Sequence, residues 1–199
     1  MGKIKAVFVD RDGTINVDKD YVFRIEDFEL LPGTLEALKL LTRNNIKIYI
    51  ITNQAGIAKG YYAEEDFHTL TDFMTNQFHK AGINIEKVLY CPHHPEGIIP
   101  EYSLKCNCRK PDIGLVDTIM KQEGFQSSEV ALIGDKNSDI EAGRTLGIRT
   151  YLVLTGYGLK HQESTKASFV KPNLLSAVNH ILKDINVDAL VKSQKPSLL

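Results

Sequence analysis

The sequence predicts an α/β protein with a doubly wound, mainly parallel sheet, and three observations point there. Short apolar runs rich in Val, Ile and Leu alternate with helix-length amphipathic segments, the pattern of right-handed βαβ units. Two of the runs stop at an acid, Val7-Phe8-Val9-Asp10 and Leu132-Ile133-Gly134-Asp135, so a parallel sheet would bring both carboxylates out at the carboxyl ends of strands. The 199 residues, 43% of them hydrophobic, suffice for one well-buried domain and are too few for two large ones.

Taken in order, the first strand is expected over residues 4–9, and a long segment, 11–31, follows it without an obvious element. Pro32-Gly33-Thr34 opens a helix over 34–43, because proline presets the backbone for a first turn. A second strand over 46–51 leads to a helix over 64–80 that Gly82 stops, and a third strand covers 87–90. A second long segment, 91–110, ends at Pro111-Asp112, which starts a helix over 113–123. Strand 130–133, helix 138–146 closed by Gly147, strand 149–154 and helix 174–182 complete the series. Residues 1–183 are thus read as a single domain and 184–199 as a poorly anchored tail without chemistry.

A formal net charge of -1 gives no global field for nucleic acid or an anionic membrane, so any phosphate recognition must come from a few placed groups. No apolar run approaches the roughly 20 residues that cross a bilayer, and the amino terminus shows no secretory or lipidation signal. The expectation is a soluble, cytoplasmic monomer that acts on a small molecule.

The candidate chemistry gathers at the strand ends. Gly13 beside Asp12 lets the chain turn so that Asp10 and Asp12 face one point, where one acid can attack as a nucleophile while the other gives and takes a proton. Thr52, Asn53 and Gln54 end the second strand with a hydroxyl and two amides, and Arg109 and Lys110 place two cations before a helix; such groups hold phosphoryl oxygens. Carboxylates converging on one rim, Asp10 and Asp135 with Asp12, make a magnesium site, and Asp139 could orient its ligands. A lone Asp after a strand is often just a helix cap or turn former, but four such motifs in the expected places are not explained that way.

All three cysteines fall in the second long segment, in Cys91-Pro92-His93-His94 and Cys106-Asn107-Cys108. Cys91, His93, Cys106 and Cys108 offer three thiolates and an imidazole, a closed tetrahedral set for a structural zinc ion, with His94 as an alternative ligand. His68, His79, His161 and His180 are scattered and are assigned no role.

Asp10-Arg11-Asp12-Gly13-Thr14, Thr52, Lys110 and Gly134-Asp135 with Asp139 resemble the four motifs of the haloacid dehalogenase superfamily of phosphotransferases, which has a Rossmann-like fold. The resemblance implies that Asp10 forms an aspartyl-phosphate and that Asp12 is the general acid and base. It further implies that Thr52 and Lys110 hold the phosphoryl group, and that Asp10, the main-chain carbonyl of Asp12, and Asp135 bind magnesium. No stretch is left over for a separate cap domain, which favours hydrolysis over transfer to a second hydroxyl.

Within the superfamily, Asp10–Asn16, residues 52–58, Cys91-Pro92-His93-His94-Pro95 and 106–111 are similar to the heptose bisphosphate phosphatase family. That likeness implies hydrolysis of the 7-phosphate of D-glycero-D-manno-heptose 1,7-bisphosphate, zinc at the four ligands named, and substrate recognition by Arg109. Asp18, Lys19, Tyr21 and Lys136 join Asn53 and Gln54 as candidate substrate contacts, and Asp20 stands where that family often has Gly. The related histidinol-phosphate phosphatases stay as the alternative, although residues 94–105 form a longer loop than they typically carry. Neither the anomer of the sugar nor the pathway it serves is legible.

Overall fold

A computed structural model of the chain describes residues 3–193, with side chains to Asp184. Its central strands are apolar on both faces and are therefore stable only between two helical layers. In β1 (Ala6–Asp10), Val7 and Val9 enter one core while Ala6 and Phe8 enter the other, as the two-residue period of a strand requires. The same division runs through β2 (Lys47–Asn53) and β4 (Val130–Gly134), while β5 (Arg149–Val153) sends Tyr151 and Val153 into the first core.

The first face is covered by α1 (Thr34–Arg43), α3 (Glu64–Lys80) and α7 (Leu174–Ser193), through buried Leu38, Leu41, Met74, Phe78, Val178 and Ile181. The second is covered by α4 (Gly114–Glu123) and α5 (Asn137–Thr145), through Val116, Ile119 and Ala142. With β3 (Lys87–Cys91) and β6 (Phe169–Lys171), the sheet has six strands in the order β3-β2-β1-β4-β5-β6, every neighbouring pair parallel.

This order positions the site. From β1 the chain crosses to one side for β2 and β3, and later returns to the other side for β4, β5 and β6. The loops that leave β1 and β4 therefore diverge, and the crevice at this reversal is where open parallel sheets bind ligands. Val9 pairs with Ile133, so Asp10 and Asp135 both lie just past this register at the carboxyl rim.

The expected elements are present, with differences at the short ones. Strand β6, with three half-buried or exposed residues, and the single-turn helices α2 (Ala55–Ala58) and α6 (Gly158–His161) were not anticipated. The segment 11–31 carries a short 3-10 turn at Ile25–Asp27 and pairs Asn16 with Leu30. Helix α7 continues to Ser193, past the expected boundary at 183, and Asp184 is ion-paired to Arg149 at 2.8 Å; the side chains of 185–199 lie outside the described residues. Among the described residues no insertion forms a domain of its own, and no helix is long and apolar enough to cross a membrane.

Candidate active site

Asp10 ends β1, Asp135 follows β4, and Asp139 lies in the first turn of α5; all three are buried, and one oxygen of each lies within 4.8 Å of the others. Asp139 stays there because its carboxylate caps its own helix, Oδ2 accepting the Lys136 N–H at 3.1 Å. Asp135 Oδ2 accepts the Tyr157 N–H at 2.8 Å, whereas Asp135 Oδ1 is buried without a hydrogen-bond donor. Burial pushes Asp10 up to about 7, only partly opposed by Lys110, and pushes Asp135 up to about 8, aided by the charges of Asp10 and Asp139. A set of buried, mutually repelling carboxylates with an unmet oxygen is a cation site by its donor chemistry.

Gly13 makes this approach possible. It sits at φ +86°, and a Cβ there would fall 2.2 Å from Asp135 Oδ2, so no side chain fits between the two motifs.

The Lys110 ammonium contacts Asp10, lies 2.6 Å from Asp139 Oδ1 and donates to the Ile51 carbonyl at 2.9 Å. Burial pulls its pKa down, but the two carboxylates outweigh that and hold it above the ordinary lysine value, so it is a fixed cation. Asn53, a candidate substrate contact, brackets the Lys110 main chain, accepting at 3.0 Å and donating at 2.9 Å. It locks the end of β2 to the Lys110 backbone.

Gln54, also a candidate substrate contact, is bonded to four protein partners. Its Nε2 donates to Thr52 Oγ1 at 2.7 Å and to Asp12 Oδ2 at 3.1 Å, and its Oε1 accepts from Tyr62 and Arg11. The Asp12 carboxylate is turned to Arg11, Asn16 and Gln54 and stands outside the trio of Asp10, Asp135 and Asp139, so only its main-chain carbonyl is left for the magnesium role expected of it.

Asp10, Asp12, Thr52, Asn53, Gln54 and Lys110 line a cavity of about 340 Å³. Asp18, Asp20, Tyr21, Arg109 and Lys136 line it as well, with Asp18 paired to Lys136 at 3.0 Å. Lys19 does not line it; its ammonium pairs with Glu29 at 3.0 Å. Asp20 and Tyr21 both have positive φ, 54° and 61°, and Asp20 tolerates this with its N–H bonded to Asp18 Oδ1 at 3.1 Å. Lys59, His94 and Tyr157 line the cavity too, and sequence reasoning missed Lys59 and Tyr157. Lys59 follows the one-turn helix α2, too short to recognise, and Tyr157 enters through a turn after β5 that bears no motif.

Cys91, His93, Cys106 and Cys108 converge as expected, their donor atoms within 4.8 Å of one another. The Sγ atoms of Cys91, Cys106 and Cys108 lie 3.2–3.5 Å apart, and His93 Nδ1 is 3.3 Å from Cys108 Sγ. The His94 ring is not part of this group; its Nδ1 accepts the Glu96 N–H at 3.1 Å. Arg109, next to the last cysteine, donates to the His93 carbonyl at 3.3 Å.

Comparison with known proteins agrees with this geometry. A family model described as HAD-hydrolase-like matches residues 107–177. The D-glycero-alpha-D-manno-heptose-1,7-bisphosphate 7-phosphatase of Photorhabdus laumondii is 43% identical, over 87% of this chain and 94% of that protein. The D-glycero-beta-D-manno-heptose-1,7-bisphosphate 7-phosphatase of Haemophilus ducreyi is 39% identical, over 91% of this chain and all of that protein. A crystal structure of D,D-heptose 1,7-bisphosphate phosphatase from B. bronchiseptica, complexed with magnesium and phosphate, superimposes with a TM-score of 0.83 at 28% identity, covering 91% of this chain and 99% of that one. With identity of this order over nearly the full length of both relatives, and with their fold, the chain belongs to the D-glycero-D-manno-heptose-1,7-bisphosphate 7-phosphatase family of HAD-like hydrolases.

Proposed function

We propose that the protein hydrolyses the 7-phosphate of D-glycero-D-manno-heptose 1,7-bisphosphate to the 1-phosphate through an aspartyl-phosphate on Asp10. The observation that carries this is one cavity holding the Asp10 and Asp12 carboxylates, the Thr52 hydroxyl and the buried Lys110 ammonium. The names of relatives at 33–43% identity support the heptose substrate over histidinol phosphate.

In the first step an Asp10 oxygen attacks phosphorus, the bond from phosphorus to the C7 oxygen breaks, and Asp12 gives its proton to the departing alkoxide. In the second, Asp12 takes a proton from water as the water oxygen attacks phosphorus, which frees phosphate and restores Asp10. Lys110 neutralises the phosphoryl oxygens throughout, and Thr52 donates to them. Magnesium would be held by Asp10, Asp135 and the Asp12 carbonyl, and would screen the repulsion between Asp10 and the incoming phosphate. Zinc would be held by Cys91, His93, Cys106 and Cys108, and would supply a crosslink for the loop that carries Arg109 and Lys110.

The test is phosphate release with magnesium from both anomers of the heptose bisphosphate and from histidinol phosphate, with Asp10→Asn as blank. A kcat/KM for one heptose anomer at least about 100-fold above histidinol phosphate is expected. Faster turnover of histidinol phosphate would overturn the reading.

The carboxylate cluster also sets a pH dependence. Because Asp10 and Asp135 titrate above the ordinary value of 3.8, the folded metal-free protein holds more protons than the unfolded chain between about pH 4 and 8. The sign is therefore a loss of stability as pH rises through that window. Metal-free protein should melt on the order of 5 °C lower at pH 8 than at pH 5.5, and saturating magnesium should raise the midpoint more at pH 8. Calorimetry at the two pH values checks this, and Asp135→Asn should shrink the difference.

A further inference from the structure

We infer that Arg11, with Asn16 and Gln54, is a positioning cradle that fixes the Asp12 carboxylate for proton transfer; the inference rests on the proposed role of Asp12. Arg11 lies between the two acids in sequence, yet it does not line the cavity and is 1% exposed. Its Nε and Nη2 bracket Asp12 at 3.1 and 2.9 Å to Oδ2, and at 3.2 and 3.0 Å to Oδ1. Asn16 Nδ2 donates to Oδ1 at 3.0 Å and Gln54 Nε2 to Oδ2 at 3.1 Å, so donors reach both oxygens from three directions.

The guanidinium is itself held. Nη2 donates to the Val22 carbonyl at 2.7 Å, and the group lies 5.7 Å from the centre of the Phe67 ring on α3. Stability alone does not account for such a pair, since burying two charges costs much of what their attraction returns, and Arg11 Nη1 is left buried without a partner. An oriented acid does account for it: a side chain that both gives and takes a proton must keep one direction through both steps, and a fork gripping both oxygens removes its rotational freedom. Gln54 extends the cradle to the phosphate-facing Thr52, tying the proton-transfer group to the phosphoryl site through one amide.

A positioning role and a merely structural one differ in how they respond to the leaving group. A nitrophenolate departs without protonation, whereas a sugar alkoxide needs the proton from Asp12. Single-turnover rates should be measured by rapid quench on the full-length, metal-loaded enzyme, with heptose bisphosphate and with p-nitrophenyl phosphate, for Arg11→Lys, Asn16→Ser and Asp12→Asn. Arg11→Lys is expected to lower the sugar phosphate rate by about 100-fold while the nitrophenolate burst changes by less than about 3-fold. In the Asp12→Asn background it should have no further effect on the sugar phosphate. Equal losses on both substrates, or none, would overturn the cradle. If Arg11→Lys does not fold, the same split is read on Asn16→Ser, where its absence is equally fatal. Should Asp12→Asn itself spare the sugar phosphate rate, the proton-transfer reading falls first; a crippled Asp12→Asn beside an unaffected Arg11→Lys removes only this inference.

Discussion

Replacing Asp10 by Asn should lower turnover by at least about 10⁴-fold while leaving the fold intact and the metal-free protein more stable at pH 8. The amide cannot form an acyl phosphate, and nothing else lining the cavity offers a carboxylate at the same point: Asp12 is held by Arg11, and Asp139 is committed to Lys110 and its own helix N-terminus. The gain in stability follows from the same burial that raises the Asp10 pKa, because a neutral group of the same shape ends its repulsion with Asp135 and Asp139. Lys110 keeps Asp139 and the Ile51 carbonyl as partners, so its charge is not stranded. Phosphate release and urea unfolding, read together, check both halves. A variant that is inactive because it is unfolded would not support the assignment, and one with more than about 1% of wild-type turnover would exclude Asp10 as the nucleophile.

The fold was legible because its signal is carried by burial. Strands apolar on both faces read as uninterrupted runs, and the acids that end β1 and follow β4 mark where those runs reach the carboxyl rim of the sheet. Strand β6 escaped because Phe169–Lys171 is short and only partly buried, leaving no run to see. In the site, Asp10, Asp135 and Lys110 were identifiable as charges set against apolar context. What could not be read was how the polar side chains divide their hydrogen bonds. Asn53 and Gln54 carry the same functional group as a substrate-binding amide, and only the three-dimensional arrangement reveals that they also bond to the Lys110 main chain, Thr52 and Asp12. Arg11 is the converse case: its charge was visible, and its near-complete burial was not.

Cys106→Ser should remove zinc, destabilise the protein by about 4 kcal/mol at a metal concentration near 1,000 times the dissociation constant, and weaken substrate binding in the same step. Metal would supply the charge the site lacks. Burial pushes the Cys91 thiol up, so with three sulfurs 3.2–3.5 Å apart the thiolate forms are costly until a cation compensates them. The consequence for binding runs through the main chain. Arg109 donates to the carbonyl of His93, itself one of the four ligands, and Lys110 follows Arg109 directly, so a loop freed from metal releases the Arg109 guanidinium. Lys110 is less affected because Asn53 still brackets its backbone from β2. The split is therefore specific: KM for the sugar bisphosphate should rise by about 10-fold or more, while kcat falls much less. Metal content of the purified variant, its unfolding midpoint and its steady-state kinetics decide the matter. One zinc retained per chain would remove Cys106 from the ligand set, and a loss of zinc without a change in KM would separate the metal from substrate recognition.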